Sequence, residues 1–361
     1  MKTNLDTAYV PIKDRIEIKL RIFNSIKKLD ILEELLIDDS ITEVMINGYK
    51  DIFIEQNGKI RIYEKNFISN DKLDDVVQQI AAKSNRIVNE ASPILDTRLA
   101  NGSRVNIVLP PIAIDGPAVT IRKFYEKPLT MDKLIELGSI SVEAAHFLKQ
   151  LVKARYNIFI SGSTSSGKTT FLNVLSNYID EDERIITIED SAELQIHNVN
   201  NLVRLEARNS NTEGKNEIKI RQLIKSALRM RPDRVIIGEV RGEECIDLLQ
   251  AMNTGHDGSL STGHSNSSKD MLSRLETMVL MGMDMPLEAI RGQIASSIDI
   301  IVHLARIKGK KRCVMEIVEI ADFVDKEIIL NPLYVYDETD EMLKKVNELV
   351  HTEKLTMAGV I

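Results

Sequence analysis

The segment from Gly162 to Thr169 is the feature of this chain that most constrains its fold. Its sequence, GSTSSGKT, is a complete G-x-x-x-x-G-K-[ST] phosphate-binding loop. The apolar residues 156–161 predict a buried strand before the loop, and the apolar spacing over residues 170–179 predicts a helix after it. Because a loop between a strand and a helix points its backbone amides at one spot, the chain is expected to bind a phosphate group there.

The side chains of this loop have separate predicted tasks. Gly162 and Gly167 allow the tight backbone path. Lys168 is expected to reach the terminal phosphates, and the Thr169 hydroxyl is expected to ligate Mg²⁺. We therefore expect ATP and Mg²⁺ as ligands. The predicted nucleotide-binding residues are Gly162, Ser163, Thr164, Ser165, Ser166, Gly167, Lys168, Thr169 and Thr170.

Composition narrows the classes of protein to consider. A length of 361 residues allows two or three domains, and a net charge of −7 argues against a general nucleic-acid binder. The two cysteines fit a reducing compartment, and Cys245, beside apolar neighbours, is predicted to be a core residue rather than a nucleophile. The sequence has neither an apolar run of transmembrane length nor a signal-peptide pattern at its start, so a cytoplasmic protein is expected.

Four regions follow from the pattern along the chain. Residues 1–36 are predicted to be an N-terminal helical segment, with a packing helix favoured over a helix on a membrane surface. Residues 37–122 are predicted to form a small α+β domain, and residues 123–130 a linker. Residues 131–361 alternate helices and strands as a parallel α/β sheet requires, and end in a predicted C-terminal subdomain.

Short apolar runs bounded by turn residues locate the strands. In the α+β domain, two Asn-Gly pairs separate the first three strands. The predicted strands of this domain are 44–46, 52–55, 59–63, 104–109 and 118–122, with a helix over 73–81. Those of the parallel sheet are 157–161, 184–190, 201–207, 234–240, 259–263 and 299–304.

Acidic residues follow two of the parallel strands, and hydrolysis needs such residues in addition to the loop. Glu189 ends the strand RIITIE and is the candidate general base. Glu239 ends the strand VIIGE and is assigned to the Mg²⁺ side, through water. Because the carboxyl ends of parallel strands meet at one sheet edge, we expect both acids beside the loop. Asp190 and Glu193 either orient Glu189 or are structural.

Histidines and arginines complete the set of candidates. His264, at the end of a polar strand, can donate to a γ-phosphate, and His256 begins the same segment. A zinc site is not expected there, because no cysteine is near. Arginines can stabilise the charge that builds up during phosphoryl transfer. The candidates are Arg98, Arg104 and Arg122 in the first domain and Arg204, Arg208 and Arg241 in the second, where Arg229, Arg231 and Arg234 also lie.

Four sequence blocks occur in a familiar order. They are SGSTSSGKTT, RIITIEDSAELQ, ALRMRPDRVIIGEVRGEE and QAMNTGHDGSLSTGHSNS. They resemble the Walker A, Asp-box, Walker B and His-box of the type II/type IV secretion ATPase superfamily, over roughly residues 40–320. The stretches DTRLANGSRVN, IDGPAVTIRKF and RLETMVLMGMDMP look most like the CpaF-type ATPases of tight-adherence (Flp) pilus systems.

The resemblance implies a RecA-like P-loop NTPase domain preceded by a smaller, PAS-like α+β domain. It implies a homo-hexameric ring in which Lys168, Glu189, Glu239 and His264 are catalytic, His256 is the second histidine of the His-box, and Arg98, Arg104 and Arg122 approach the phosphates. It also implies a partner, an integral inner-membrane pilus platform protein, which would hold the ATPase peripherally at the cytoplasmic face of the membrane. No direct contact with nucleic acid is expected.

Three functions stay open at the level of sequence. The leading one is a motor ATPase that powers pilus assembly or protein secretion. The second is a motor that moves DNA or effector proteins in a type IV secretion apparatus. The third is a nucleotide-dependent switch or scaffold with negligible turnover, which the presence of both acids disfavours.

Overall fold

The computed structural model describes residues 19, 28–124, 129–208, 216–307 and 311–360. Most of the predicted N-terminal helix, residues 125–128 of the predicted linker and residues 308–310 lie outside the described residues. Two compact units divide the chain, Met1–Glu126 and Lys127–Ile361. Their boundary lies within the segment predicted as a linker.

The first unit is built on a six-stranded antiparallel sheet in the order β3-β2-β1-β6-β5-β4. Its strands are β1 (Ile41–Asn47), β2 (Asp51–Gln56), β3 (Lys59–Ile62), β4 (Ile94–Arg98), β5 (Arg104–Val108) and β6 (Ala118–Arg122). Its helices are α1 (Leu32–Ile37) and α2 (Asn70–Lys83). Alternate strand residues such as Val105 and Ile107 join the helices' apolar residues in one core, so the other face of the sheet is free to carry polar side chains.

Local sequence explains most of this unit. Between β2 and β3, Asn57 and Gly58 both have positive φ (+53° and +74°), which is the backbone that an Asn-Gly hairpin turn requires. The sequence did not predict β4. Its five residues include Asp96 and Arg98 on the outward face, and only pairing with β5 gives it the form of a strand.

The second unit contains a nine-stranded sheet in the order β15-β14-β13-β12-β7-β11-β10-β8-β9. Its strands are β7 (Ile158–Gly162), β8 (Arg184–Glu189), β9 (Asn201–Glu206), β10 (Arg234–Ile237), β11 (Leu260–Gly263), β12 (Ile300–Arg306), β13 (Arg312–Val324), β14 (Glu327–Asp337) and β15 (Met342–Lys345). Its helices are α3 (Met131–Glu136), α4 (Val142–Lys153), α5 (Lys168–Ser176), α6 (Ile220–Ala227), α7 (Cys245–Asn253), α8 (Ser268–Gly282), α9 (Leu287–Ser297) and α10 (Glu353–Met357).

The six predicted parallel strands are all present, and they are neighbours in the order β12-β7-β11-β10-β8-β9. Apolar clusters cover both faces of the sheet, which is why β7, β8 and β10 read as continuous apolar runs. The strands from β13 to β15 extend this sheet by antiparallel pairing. Leu333 and Leu343 share a core with Ile158, so the predicted C-terminal subdomain is continuous with the parallel sheet.

The order of the parallel strands places four chain segments at one sheet edge. β7, β11, β10 and β8 are neighbours, and at their carboxyl ends lie the phosphate loop, His264, Glu239 and Glu189. These segments are separated by up to about a hundred residues in sequence. The sheet order, which sequence patterns alone do not give, therefore assembles the candidate site.

Candidate active site

Two glycines of the phosphate loop, Gly162 and Gly167, cannot be replaced by another residue without strain. A Cβ on Gly162 would lie 2.3 Å from the Leu304 carbonyl oxygen and 2.6 Å from Ser166 Oγ. Gly167 has a φ of +98° and precedes the first residue of α5. Helix α5 therefore starts at Lys168, two residues earlier than predicted. The loop therefore leads directly into the N-terminus of α5, where backbone amides can bind an anion.

Lys168 is buried and folded against its own loop. Its Nζ donates to the Ser163 carbonyl at 3.0 Å and lies 3.1 Å from His264 Nδ1. Burial lowers the pKa of Lys168, while the charge of Glu239 acts in the opposite direction. An ammonium group held by a neutral carbonyl can exchange that partner for a phosphate oxygen. Lys168 therefore lies at the phosphate loop with a partner that a phosphate oxygen can replace.

His264 connects Lys168 to Glu239. Because an ammonium group only donates, His264 Nδ1 accepts from Lys168, which places the ring proton on Nε2. That nitrogen lies 2.6 Å from Glu239 Oε1, although the angles are outside the hydrogen-bonding range. Burial lowers the pKa of His264, and Glu239 partly opposes the shift. The histidine is thus neutral near pH 7 and lies between the loop lysine and an acid.

Glu239 also binds an arginine. Its Oε2 accepts from Arg241 Nε at 2.9 Å and from Arg241 Nη2 at 2.6 Å, and Arg241 Nη1 lies 3.5 Å from Asp190 Oδ2. Both oxygens of Glu239 therefore face cationic or histidine side chains. Because both oxygens already face other side chains, Glu239 is better placed to contact a metal ion through water than to ligate it directly.

Glu189 is the most perturbed acid at this edge. It is only 3% exposed, and burial raises its pKa to about 7 although Oε1 accepts hydrogen bonds from the Glu193 and Leu194 amides at 2.8 and 3.0 Å. Its Oε2 is buried and has no hydrogen-bond partner among the described residues. Glu193 thus holds Glu189 through its backbone amide. A carboxylate with one fixed and one unbonded oxygen can take a proton near neutral pH.

Gly238 is a site residue that sequence reasoning missed. A Cβ there would lie 2.9 Å from Glu189 Cγ, so any larger residue would displace the carboxylate. Its carbonyl accepts from Thr262 Oγ1 at 2.7 Å, which fixes β10 against β11. The signal in the sequence was a glycine between an apolar strand and an acid.

The remaining predicted histidine and arginines of this unit lie in different places. His256 precedes β11, at the edge opposite the phosphate loop, and its Nδ1 lies 3.2 Å from the Ala251 carbonyl. The structure does not bring it to Lys168, because a strand separates it from His264. Arg204 is exposed on β9, and its charge lowers the pKa of Glu189. Arg208 lines an open cavity of about 480 Å³ together with Asp190 and Arg241.

The three arginines predicted in the first unit share one row of its sheet. Arg98 pairs with Arg104 across β4 and β5, and Arg104 pairs with Arg122 across β5 and β6. Glu43 comes next in the row, 3.6 Å from Arg122. Like charges directly opposite one another destabilise a sheet. The row is therefore a candidate surface for an anion.

The fold and this edge of the sheet define a P-loop ATPase. The chain belongs to the family described as "Type II/IV secretion system protein", whose model matches residues 26–340. It is 35% identical over 296 residues to a putative conjugal transfer protein of Mycobacterium tuberculosis (strain CDC 1551 / Oshkosh), covering 80% of this chain and 83% of the relative. It is 31% identical over 323 residues to the type IV secretion system protein VirB11 of Bartonella quintana (strain Toulouse), covering 78% and 89%.

A solved structure supports the fold independently. The pilus retraction motor PilT with bound ADP superimposes with a TM-score of 0.58 at 16% identity, covering 91% of this chain and 86% of that one. At this identity the likeness concerns the fold alone, and it confirms the α/β class. Within the part of the chain that the structure describes, no helix is both long and apolar enough to cross a membrane.

Proposed function

We propose that the protein is a hexameric motor ATPase whose hydrolysis of ATP powers pilus assembly or protein secretion across the cytoplasmic membrane. The observation that carries hydrolysis is Glu189, a buried acid at the edge of the phosphate loop with an unbonded oxygen and a pKa of about 7. A buried acid with a raised pKa and an unbonded oxygen beside a phosphate loop is suited to act as a general base. This observation favours turnover over the switch or scaffold alternative.

Phosphate binding falls to the loop. The amides of the loop and of the first turn of α5 bind the phosphates, and Lys168 exchanges the Ser163 carbonyl for the terminal phosphates. Thr169 would hold Mg²⁺ with Glu239 acting through water. The ion supplies neutralisation of the charge on the transferred phosphoryl group.

Proton transfer falls to Glu189. Its Oε1 stays bound to the Glu193 and Leu194 amides, so Oε2 is the atom that accepts the proton of the attacking water. His264 senses the γ-phosphate. When Lys168 turns to the phosphate, His264 Nδ1 loses its donor, and the change reaches Glu239 and Arg241 through the contacts described above.

The proposed role of the first domain and the proposed assembly are inferred from the arginine row and from the family resemblance. The row of Arg98, Arg104 and Arg122 supports a role for the first domain in contacting an anion. A ring of six copies, peripheral attachment at the cytoplasmic face, and an integral membrane platform protein as partner follow from the resemblance to tight-adherence pilus ATPases. Size-exclusion chromatography with light scattering, with and without a non-hydrolysable ATP analogue, tests the ring directly.

Two substitutions test the hydrolytic assignment. Lys168→Ala is expected to abolish both nucleotide binding and turnover. Glu189→Gln is expected to reduce kcat by about 10²–10³-fold while nucleotide binding remains, because it removes only the base. Glu206→Gln is a matched control, since Glu206 is register-paired with Glu189 but exposed on β9. Full turnover in both Lys168→Ala and Glu189→Gln contradicts the proposal.

A second candidate function is transport of DNA or effector proteins by a type IV secretion apparatus. The relatives described as conjugal transfer and VirB11 proteins favour it. Deleting the gene separates the two candidates. Loss of surface pili with conjugation intact supports the pilus motor, and loss of plasmid transfer with pili intact supports the transport motor.

A further inference from the structure

A side chain from outside the phosphate loop braces it. Arg312, at the start of β13, donates a hydrogen bond from Nε to the Ser165 carbonyl at 3.0 Å. Its Cδ lies 3.4 Å from the position that a Cβ on Gly167 would occupy. The arginine therefore spans the loop from Ser165 to Gly167, although it follows Ser165 by 147 residues. None of the tasks assigned above uses this contact.

The loop needs such a support because of its backbone. Ser165 and Gly167 both have left-handed φ, at +59° and +98°. This conformation is sterically unfavourable for a serine, so Ser165 keeps it only when neighbouring groups hold the backbone in place. In a loop whose amides serve a phosphate, the carbonyls need other partners. The guanidinium supplies one for Ser165, and its charge strengthens that hydrogen bond.

The support is itself fixed in place. Next to Arg312, the Val314 amide donates to the Ser139 carbonyl at 2.9 Å, and Cys313 Sγ lies 3.7 Å from the Gly138 carbonyl. Val314 also pairs with Leu304 of β12, whose carbonyl lies against Gly162 at the start of the phosphate loop. The strand pair β12–β13 thus contacts the loop at its beginning and, through Arg312, near its end.

We infer that Arg312 is a positioning residue for nucleotide binding: its guanidinium holds the Ser165 carbonyl and thereby the loop conformation whose amides bind the phosphates. This inference rests on the proposed function, because it deepens the role of the same loop. It assigns Arg312 no contact with the reacting atoms. Arg312 is exposed at the base of the β12–β13 hairpin, and the inference gives this exposed side chain a role in the loop.

The test compares Arg312→Gln with Arg312→Lys. In the full-length protein, Arg312→Gln is expected to raise the Kd for the fluorescent analogue mant-ADP and the KM for ATP about 5- to 10-fold. Its kcat at saturating ATP is expected to stay within about twofold, since bound phosphates order the loop. Arg312→Lys is expected to recover most of the affinity, because an ammonium group can also donate to the Ser165 carbonyl.

Arg306→Gln is the matched control. Arg306 is also exposed and lies directly opposite Arg312 in the β12–β13 ladder, but within the described chain no contact joins it to the loop. Its Kd and KM are expected to equal those of the wild type. Thermal melting of all three variants checks that the fold is intact, and an unchanged midpoint with a raised Kd separates positioning from general destabilisation.

The outcomes are distinct from those of the proposed function. An Arg312→Gln protein with the same Kd and KM as Arg306→Gln overturns the inference, and so does a loss of kcat at unchanged KM. If Arg312→Gln lowers the melting midpoint, recovery of the Kd by Arg312→Lys decides the question. A wild type that binds mant-ADP but hydrolyses no ATP refutes the proposed function, while the Kd comparison still decides the role of Arg312.

Discussion

Buried charged groups lie at both ends of the parallel strands, and the two ends differ in how completely these groups are paired. Where β10 begins, the fully buried Arg234 binds both oxygens of Glu183 at 2.8 and 2.6 Å and the Val152 carbonyl at 2.6 Å. Where β8 ends, Glu189 has one bonded oxygen and one unbonded oxygen. The completely paired Arg234 supports the fold, whereas the unbonded oxygen of Glu189 is available to an external atom.

The largest expected effect concerns the completely paired edge. Glu183→Gln leaves the guanidinium of Arg234 buried without its anion, so the free energy of unfolding is expected to fall by about 3–5 kcal/mol. Arg155→Gln is the control, because Arg155 also binds Glu183 but is partly exposed, and about 1 kcal/mol or less is expected there. Urea unfolding followed by circular dichroism measures both. Equal losses in the two variants would show that Arg234 is not the critical partner.

The next effect has the opposite sign and concerns the incompletely paired edge. Burial raises the pKa of Glu189 from 4.5 to about 7, so its favourable contribution to stability is present below pH 4.5 and is lost as the pH rises through about 7. Glu189→Gln cannot ionise. It is therefore expected to be more stable than the wild type at pH 8, by up to about 3 kcal/mol, with a smaller gain at pH 5. Melting midpoints at both pH values check this, and a less stable variant at pH 8 would contradict the raised pKa of Glu189.

The same pKa predicts how turnover depends on pH. If the ionised Glu189 accepts the proton of water, kcat is expected to fall about tenfold per pH unit below about pH 7 and to level off above it. The Kd for mant-ADP over the same range separates this effect from loss of binding. A kcat that stays constant from pH 8 to pH 5.5 would exclude Glu189 as the base.

The smallest expected effect compares the two histidines of one segment. His264→Ala removes the group between Lys168 and Glu239, and kcat is expected to fall about tenfold. His256→Ala, at the opposite edge, is expected to change kcat less than about twofold. Steady-state ATP hydrolysis measures both. Equal effects would mean that the two sheet edges do not differ in function as the pairing of their charges indicates.

Part of this protein was determined by local sequence. The phosphate loop, the six parallel strands and the Asn57-Gly58 turn were all predictable, because each depends on residues within about ten positions of one another. The placement of Glu189 and Glu239 at one sheet edge also followed from their positions at strand ends. These features required no knowledge of which strands are neighbours, whereas the contacts between the side chains at that edge did.

The rest was decided by the tertiary structure. The sequence does not distinguish the roles of three arginines. Arg234 is buried against Glu183, Arg241 binds Glu239, and Arg312 binds the Ser165 carbonyl of the phosphate loop. Gly238 matters only because Glu189 lies against it, and β4 is a strand only because β5 pairs with it. The pKa and the hydrogen bonds of a side chain depend on residues that are distant in the chain. The order of strands in the sheet determines which of these residues are its neighbours.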